Sequence, residues 1–417
     1  MEGIVNEQGE LEGRIEYLPI QEWFMKNGMK EKNHFNHSFL IHVAEKIDKG
    51  RLGQALEKLN QQHDMLRAIF RESQQSYRKT SRPAEIKELD VSGKSEEEID
   101  EELTNWQNKF DIEGGYLWQS GIIRGYKDGS ERIYIAIHHL VFDAASWPLI
   151  REDLKDLYEG KEMREKGSSY RQWVEGVKEC GKRATAEEKQ YWENINREQG
   201  QQETWWGKLV EDRNGELKGT GMEFNADVTQ KLLQASREVY NCEVNDLLVS
   251  ALGYALYEVS GEERNWITME CPGREAIDQG IDVSRTVGWF TTMYPAELKI
   301  GKDVRETIIE NREGRRKLPY NGIGYGAIHG YDKLPTILFN YLDYLGGTTE
   351  NSWQIGFPEK SGQGMSMDNK SGNIIDFNGL RIGGKIRFSI ESYLRAEKHK
   401  ELCEVFKGKV EEIASHC

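Results

Sequence analysis

The residues best suited to chemistry are two adjacent histidines at the end of an apolar run. The run has β-branched and aromatic residues and no strand breaker, which predicts a strand: Ile133-Tyr134-Ile135-Ala136-Ile137-His138-His139. Side chains alternate along a strand, so His138 and His139 face opposite sides. We therefore expect one imidazole to be a base in a cleft and the other to be structural. Opposite facing also makes them poor ligands for one metal, and no other cluster has metal-ligand spacing, so no metal site is predicted.

The residues that follow predict a turn into a helix. Ser146-Trp147-Pro148 begins that helix, because proline is favoured where its missing N–H would be unpaired anyway. Asp143 is interpreted as structural rather than as a general base, and one structural role for it is a helix cap. Ser146 is also a candidate cap, and Trp147 is interpreted as a core residue.

This segment resembles the HHxxxDxxSW signature of the condensation-domain superfamily of nonribosomal peptide synthetases, through His138, His139, Asp143, Ser146 and Trp147. The Ser-Trp ending resembles the epimerization branch, and Ala144 replaces the usual glycine. Residues 63–67, His-Asp-Met-Leu-Arg, resemble the HDxLR element of the same superfamily. The resemblance implies an ion pair between Arg67 and Asp143, which agrees with the need of a buried carboxylate for a partner.

Four further segments resemble motifs of the epimerization branch in the same order along the chain. Residues 270–275 resemble its EGHGRE motif, with Cys271 and Pro272 in place of Gly-His. The other three are an SRTVGWFT segment, a glycine-rich turn and an FNYL strand, at residues 284–291, 319–326 and 339–342. The resemblance thus spans nearly the whole chain.

The resemblance implies an α/β (α+β) fold of two lobes, each like chloramphenicol acetyltransferase. These lobes are expected to form a V with an active-site tunnel between them. The residue pattern alone supports two α/β halves. We place the N-terminal lobe at residues 1–196, with the histidine motif, and the C-terminal lobe at residues 197–417, with Glu270.

The implied activity is inversion, L to D, of the α-carbon of an aminoacyl or peptidyl thioester on a carrier protein. A thioester carbonyl acidifies the neighbouring C–H because it delocalises the enolate. One group must remove the proton and another must return one from the opposite face. His139 suits this task with an ordinary pKa of about 6.5. Glu270 needs desolvation or pairing to raise its pKa into that range. Which of the two deprotonates the L form stays open.

Three more residues match functional positions of the family. Arg274 either positions Glu270 or is a solvent-facing loop residue. Asn340 and Tyr341 are candidates to hydrogen-bond the enolate oxygen or the thioester arm, and strand alternation predicts that only one of them points into the tunnel. Cys271 is not interpreted as a nucleophile, because no base and oxyanion donors are evident around it.

The implied partner is a carrier protein whose phosphopantetheine arm delivers the substrate, with no bound cofactor. A basic cluster precedes the glycine-rich turn: Arg312, Arg315, Arg316 and Lys317. It either meets the carrier's acidic surface or phosphate, or is a solvated helix end whose charges complement the helix dipole. Carrier and adenylation motifs are absent from the sequence, which indicates an enzyme acting in trans or one domain of a larger synthetase.

Composition narrows the class further. The net charge of −15 over 417 residues argues against nucleic-acid binding. Five dispersed cysteines argue against a disulfide framework and favour a reducing cytoplasm, with Cys417 the last of them. Neither a signal peptide nor an apolar run of membrane-spanning length is present. We expect a cytoplasmic monomer or synthetase part that does not bind membranes.

The sequence also predicts several local elements. Ser95 and Glu98 predict a capping box, and residues 244–259 predict a buried helix. Residues 197–218 are interpreted as a loop or linker, and residues 346–375 as mostly loop. Asp227 is predicted to cap a helix that runs to about residue 238.

Two other functions on the same fold compete with epimerization. The first is peptide-bond condensation, against which the Ser-Trp ending, Glu270 and the SRTVGWFT segment argue. The second is a non-catalytic carrier-binding module, against which the presence of both His139 and Glu270 argues.

Overall fold

The computed structural model describes residues 5–71, 74–79, 85–200, 202–210, 217–277, 280–343, 353–355 and 360–416, without the side chains of residues 203 and 204. Its chain is mixed α/β with open sheets, which confirms the predicted fold class. Two compact units interleave along the sequence. The first comprises Met1–Glu179, Ala276–Phe290 and Gly346–Lys370, and the second comprises Cys180–Glu275, Thr291–Leu345 and Ser371–Cys417. The predicted lobe boundary at residues 196 and 197 stays a prediction.

The first unit contains two sheets and the helices packed on them. Its elements are β1 (Gly13–Ile15), α1 (Pro19–Lys26), β2 (Asn36–Val43), α2 (Lys49–Gln62), β3 (Ala68–Arg71), β4 (Gln74–Tyr77), β5 (Ile86–Asp90), α3 (Glu96–Gln107), β6 (Trp118–Arg124), β7 (Glu131–His138), α4 (Trp147–Tyr158), most of α5 (Tyr170–Arg183) and, from later in the chain, β12 (Gln354–Ile355). Short 3₁₀ turns lie at Asp64–Arg67, His139–Val141 and Ala144–Ser146.

Strand β7 lies at the centre of the five-stranded sheet, whose order is β12-β2-β7-β6-β5. All eight of its residues are buried, and its centre, residues 133–137, is a continuous apolar run. On one face, Tyr134 and Ala136 pack with Leu103 and Trp106 of α3, a helix that begins with the predicted capping box at Ser95. The end of β7 is therefore a rigid support for the histidines.

The second unit is built on one six-stranded sheet. Its elements are the end of α5, α6 (Ala186–Gln199), α7 (Gln202–Leu209), β8 (Lys218–Phe224), α8 (Ala226–Gln234), α9 (Val244–Ser260), β9 (Arg264–Cys271), β10 (Thr292–Lys299), α10 (Val304–Arg316), α11 (Ile323–His329), β11 (Ile337–Leu342), β13 (Ile375–Ile382), β14 (Lys385–Ser392) and α12 (Ala396–Ser415). A π-helical turn follows α8 at Ala235–Val239, and a 3₁₀ turn precedes α11 at Pro319–Gly322.

The sheet order of the second unit, β10-β9-β11-β13-β14-β8, places β9 next to β11. The two strands are parallel, and their register puts Glu270 opposite Asn340. Helix α9 is buried on nearly every side, as its apolar sequence predicts. The sheet thus brings together two candidates that lie 70 residues apart in the chain.

Three local predictions need correction. Residues 197–218 are not a continuous loop, because α6 extends to Gln199 and α7 follows; residues 211–216 lie outside the described ranges. Asn225, not Asp227, caps α8, since its side chain accepts a hydrogen bond from the backbone N–H of Val228 at 3.0 Å. The α-helical part of that segment ends at Gln234, where the π-helical turn begins. Of the predicted loop at residues 346–375, residues 346–352 and 356–359 are also outside the described ranges.

No helix within the described ranges has the length and apolar character that crossing a bilayer requires.

Candidate active site

His138 is a structural residue of the first unit. Its side chain is fully buried, and both ring nitrogens are used. Nε2 lies 2.7 Å from the carbonyl oxygen of Lys32, while Nδ1 accepts a hydrogen bond from the backbone N–H of Leu140 at 3.1 Å. These bonds hold the turn after β7 and leave neither nitrogen for catalysis.

His139, in contrast to His138, uses only one of its ring nitrogens for a hydrogen bond to a described residue. Its Nδ1 lies 2.7 Å from the carbonyl oxygen of Phe142, so Nδ1 carries the proton and Nε2 is the nitrogen with a lone pair. Within the described residues Nε2 has no hydrogen-bond partner, and the side chain is partly exposed. This tautomer is the one that a general base requires.

Aromatic rings enclose His139. Phe35 stacks on it with ring centroids 4.8 Å apart, Trp289 packs at 4.5 Å, and His37 meets it edge-on at 4.1 Å. Burial lowers the pKa of His139 to about 4, although the hydrogen bond to Phe142 and the charge of Asp143 oppose the decrease. The imidazole is therefore neutral at neutral pH with a lone pair that can accept a proton, but its pKa lies well below the ordinary 6.5 expected from the residue type, which makes it a weaker base than predicted.

Asp143 organises the turn beside the histidines. Its Oδ1 accepts hydrogen bonds from Ser146, 2.9 Å from the backbone nitrogen and 2.7 Å from Oγ. Its Oδ2 accepts from the backbone N–H of Phe290 at 3.1 Å. Asp143 is thus a cap, one of the two roles predicted for it, and it also fixes the segment that carries Trp289. Trp147 is buried and stacks on Phe39 at 5.2 Å, as predicted for a core residue.

The predicted ion pair between Arg67 and Asp143 is wrong. Arg67 lies at the end of a 3₁₀ turn and donates to Asp64 Oδ1, three residues earlier, at 2.6 Å. Its remaining N–H groups donate to four carbonyl oxygens, those of Asn60, Gln61, Arg78 and Leu11. Arg67 pairs with Asp64 rather than Asp143 because the 3₁₀ turn brings Asp64 within reach. All five guanidinium N–H donors are then used.

Replacement of Arg67 should destabilise the fold strongly. Arg67→Met removes a fully buried cation and leaves buried oxygens without donors, so we expect the free energy of unfolding to fall by about 3–5 kcal/mol. Urea unfolding of the variant measures this change. Lys26→Met is the matched control, because the 66% exposed Lys26 lies 3.9 Å from Glu22 and such pairs contribute about 0–1 kcal/mol. Equal losses of unfolding free energy in both variants would show that the buried contacts of Arg67 do not stabilise the fold.

Glu270 lies near the end of β9 in the second unit. Burial raises the pKa of its carboxyl to about 7, and the charge of the nearby Asp376 adds to the increase. Asn340 Nδ2 donates to Glu270 Oε1 at 3.3 Å. A carboxyl with this pKa is partly protonated at neutral pH, so it is able to give a proton as well as take one.

Asn340 and Tyr341 face opposite sides of β11, as alternation predicts. Asn340 shares the face of Glu270, whereas Tyr341 is buried against Phe388 with ring centroids 6.0 Å apart. The Tyr341 hydroxyl donates to Asp343 at 3.0 Å. Within the second unit, the structure therefore brings Asn340 to Glu270 and places Tyr341 on the other face.

Two other candidates lie beside Glu270 in sequence. Arg274 is half-buried in the loop after β9. Cys271 Sγ lies 3.8 Å from the hydroxyl of Tyr294, and burial raises the pKa of the thiol to about 12. Such a thiol is not a thiolate at neutral pH, which argues against Cys271 as a nucleophile.

The basic cluster lies at the end of α10, where carboxylates of the same unit partner its arginines. Arg315 binds Asp246 through two nitrogens, at 2.6 and 2.9 Å. Arg312 and Arg316 both lie close to Glu313, at 2.7 and 3.3 Å. Lys317 is the C-terminal cap residue of the helix. These contacts favour the helix-end interpretation for Arg315, and carrier binding by the cluster stays a prediction.

The first unit should lose stability in acid. Burial lowers the pKa of His139 to about 4, that of His138 to about 3, and that of His37 well below its ordinary value. The unfolded chain binds protons at these positions below about pH 6.5 while the folded chain does not, so each histidine stabilises the fold above pH 6.5 and that contribution is lost as the pH falls. We expect a loss on the order of 2 kcal/mol each from His138 and His139 between pH 6.5 and pH 5, and a further loss in the same direction from His37.

Denaturant unfolding across that pH range tests the expectation. His138→Gln should flatten the acid dependence even though it lowers stability at pH 7. A stability that stays constant between pH 7 and pH 5 contradicts the burial of neutral imidazoles.

Sequence reasoning missed His37 and did not single out Trp289 from its motif. The signal for His37 was present: residues 35, 37 and 39 alternate along the predicted strand at residues 35–43 and so share one face, which puts a titratable ring between two phenylalanines. No pattern in the sequence connects Trp289 with His139, because they lie 150 positions apart. Among the described residues, no group of three or more His, Cys, Asp or Glu side chains could hold a metal ion.

Comparison with known proteins identifies the class. The family model for the condensation domain matches residues 12–417. N-(5-amino-5-carboxypentanoyl)-L-cysteinyl-D-valine synthase of Amycolatopsis lactamdurans is 34% identical over 419 residues, and surfactin synthase subunit 1 of Bacillus subtilis (strain 168) is 29% identical over 454 residues. These matches cover 98% and 100% of this chain but 11% and 12% of the relatives.

Two solved structures have the same fold. The crystal structure of the epimerization domain from the third module of tyrocidine synthetase B aligns with a TM-score of 0.83 and 25% identity, over 99% of each chain. The first condensation domain of the calcium-dependent antibiotic synthetase, in complex with a substrate analogue, aligns with a TM-score of 0.69 and 16% identity over 97% of each chain. At that identity the second match concerns the fold alone.

The open α/β sheets and the paired histidines at a strand end therefore define a domain of the condensation superfamily, as predicted. The chain belongs to the condensation-domain family, and its relatives are synthases and synthetases much longer than the chain itself.

Proposed function

We propose that this protein inverts the α-carbon of an aminoacyl or peptidyl thioester that a carrier protein presents on its phosphopantetheine arm. The observation that carries the proposal is the complementary protonation of two groups at neutral pH. His139 is a neutral imidazole with Nε2 unoccupied by any described residue, and Glu270 is a carboxyl whose pKa is about 7. One group is ready to accept a proton while the other still holds one.

The reaction that follows is proton transfer without a redox step. Nε2 of His139 takes the α-proton, and the electron pair of the C–H bond moves into the thioester carbonyl to form an enolate. The protonated Glu270 then gives its proton to the same carbon from the opposite face. His139 belongs to the first unit and Glu270 to the second, so their action on one carbon is part of the proposal.

Asn340 supports the carboxyl in this scheme. Its amide donates to Glu270 Oε1 at 3.3 Å, which leaves the other carboxyl oxygen for the substrate. Once Glu270 has lost its proton, the same hydrogen bond stabilises the carboxylate. We propose Asn340 as a positioning residue for Glu270, with Arg274 as a further candidate near the reaction, whereas Tyr341 lies on the other face of β11.

Similarity to the tyrocidine synthetase epimerization domain supports inversion over the alternatives. Peptide-bond condensation is the competing function, since the family model and other structural neighbours are condensation domains. A condensation reaction requires a base but no proton donor to a carbon. The raised pKa of Glu270 therefore favours epimerization, because a protonated carboxyl has a use there.

A single assay separates the functions. A carrier loaded with an L-aminoacyl group is incubated with the protein in deuterated water, and the α-deuterium content and D/L ratio are followed. Deuterium incorporation together with inversion is the expected result. Amide formation with a second loaded carrier would instead support condensation, and carrier binding without turnover would support a non-catalytic module.

The carrier surface is tested separately. Arg316→Glu changes a 45% exposed side chain at the end of α10, whereas Arg315→Glu would break the buried contact with Asp246. If the basic cluster binds the acidic carrier, Arg316→Glu raises KM for the loaded carrier with little change in kcat. An unchanged KM would show that the basic cluster does not bind the carrier and only complements the dipole at the end of α10.

A further inference from the structure

Neighbouring groups surround most of the His139 imidazole ring. Phe35 covers one face and Trp289 packs against the ring at 4.5 Å, while Nδ1 is committed to the carbonyl of Phe142. A proton that Nε2 takes from a substrate would sit between the substrate and these groups. Before the next turnover, that proton has to leave.

His37 is the titratable group that meets His139 in this enclosure. It lies on β2, with its ring centroid 4.1 Å from that of His139 and an interplanar angle of 89°. Phe142 and Trp147 pack around it at 6.0 and 5.5 Å. Its side chain is partly exposed, and in the described part of the chain no hydrogen bond involves either of its ring nitrogens.

A neutral imidazole with two uncommitted nitrogens can take a proton at one nitrogen and release one at the other. We propose that His37 carries the proton between His139 and solvent, and so resets the base after each inversion. The inference rests on the proposed function. His37 is a positioning residue in this scheme, because it acts on the substrate only through His139.

Each proton that moves in this transfer has a donor and an acceptor. The imidazolium of His139 gives its Nε2 proton to a nitrogen of His37, and the other nitrogen of His37 releases a proton to water. The neutral tautomer of His37 is then restored by exchange with water. No direct hydrogen bond joins the two rings in the structure, so the step requires a small ring rotation or a bridging water.

Electrostatic repulsion between the His37 and His139 rings disfavours protonation of both at once, as expected if they hold the proton in turn. Burial lowers the pKa of His37 well below its ordinary value, and the charge of a protonated His139 lowers it further. The two rings therefore do not hold protons together at neutral pH. His37 is therefore neutral while His139 is charged, so a lone pair is present on its ring to accept the proton.

The test compares His37→Phe with the unchanged protein on the loaded carrier. Phenylalanine keeps an aromatic ring beside His139 and removes both nitrogens. We expect the first turnover to keep its rate while steady-state inversion falls about tenfold or more. Added imidazole should restore the steady-state rate of the variant by accepting the proton from His139 in place of His37. It should have little effect on the unchanged protein.

His42→Phe is the matched control, because it replaces the same residue type on the same strand and should have no effect. An equal loss of the first and later turnovers without imidazole rescue would make His37 a packing residue and overturn the proposal. Unchanged steady-state inversion in His37→Phe would also overturn it.

A second readout separates this inference from the proposed function. If the unchanged protein inverts no substrate, the function has failed, and the role of His37 can still be measured by NMR of histidine-labelled protein. Proton exchange between the His139 ring and water should be slower in His37→Phe than in the unchanged protein. Equal exchange rates would reject the proton-carrier role independently of any activity.

Discussion

His139→Ala should reduce inversion of a carrier-bound aminoacyl thioester by about 10²–10⁴-fold, which is the usual contribution of a positioned general base. The imidazole is neutral, its Nδ1 is fixed to the carbonyl of Phe142, and its Nε2 is the atom with a lone pair for the substrate. Alanine removes that lone pair, and no imidazole of the described residues replaces it at the same position. Initial rates of D product formation measure the effect, with the D/L ratio determined after release from the carrier.

The variant needs controls for folding and binding. His42→Ala removes a histidine of the same sheet and should keep its activity. KM for the loaded carrier should change little in His139→Ala, since the loss concerns the chemical step rather than binding. A His139→Ala protein that exchanges the α-proton of the L-aminoacyl thioester at the normal rate would show that His139 is not the base.

Glu270→Gln should abolish measurable inversion, with a loss of about a hundredfold or more. Glutamine keeps the size of the side chain and an oxygen for the Asn340 amide, but it neither gives nor takes a proton. With Glu270 as the acid, inversion by the unchanged protein should decline above about pH 7, because the carboxyl ionises there. Any residual α-proton exchange in the variant should lose that decline.

Stability separates a chemical loss from a folding defect in this variant. The folded pKa of Glu270 is about 7 against an ordinary 4.5, so the folded chain holds a proton that the unfolded chain releases between these values. Stability due to Glu270 is therefore present below pH 4.5 and is lost as the pH rises to 7. Glu270→Gln should thus be more stable than the unchanged protein above pH 7, by up to about 3 kcal/mol.

Glu297→Gln is the matched control on the neighbouring strand, where Glu297 pairs with Arg264 near the surface. It should keep both the activity and the pH profile. Glu270→Gln with normal inversion, or with the same decline above pH 7, would show that another group supplies the acid.

The sequence carried the parts of the fold that depend on local pattern. Strand β7, the capping box at Ser95 and the buried helix α9 follow from residue type and periodicity alone. The opposite facing of Asn340 and Tyr341 follows from strand alternation in the same way. These features need no knowledge of the residues that pack against them.

Features that depend on an unpredicted turn or on distant residues were less accessible. The choice of Asp64 over Asp143 by Arg67 depends on a 3₁₀ turn that brings two near neighbours together. The positions of Trp289 against His139 and of Asp376 near Glu270 depend on how β-strands and segments far apart in sequence pack. The pKa changes of His139 and Glu270 arise from this packing, so the sequence pattern could name the two groups but could not assign their protonation at neutral pH.

The most direct measurement follows α-hydrogen exchange for each enantiomer separately. L- and D-aminoacyl thioesters labelled with α-deuterium are given to His139→Ala and to Glu270→Gln in ordinary water, and loss of label is followed without waiting for inversion. If the two groups act from opposite faces of one carbon, each variant loses exchange with one enantiomer and keeps exchange with the other, and neither inverts. Loss of exchange with the same enantiomer in both variants, or inversion by either of them, would contradict the account.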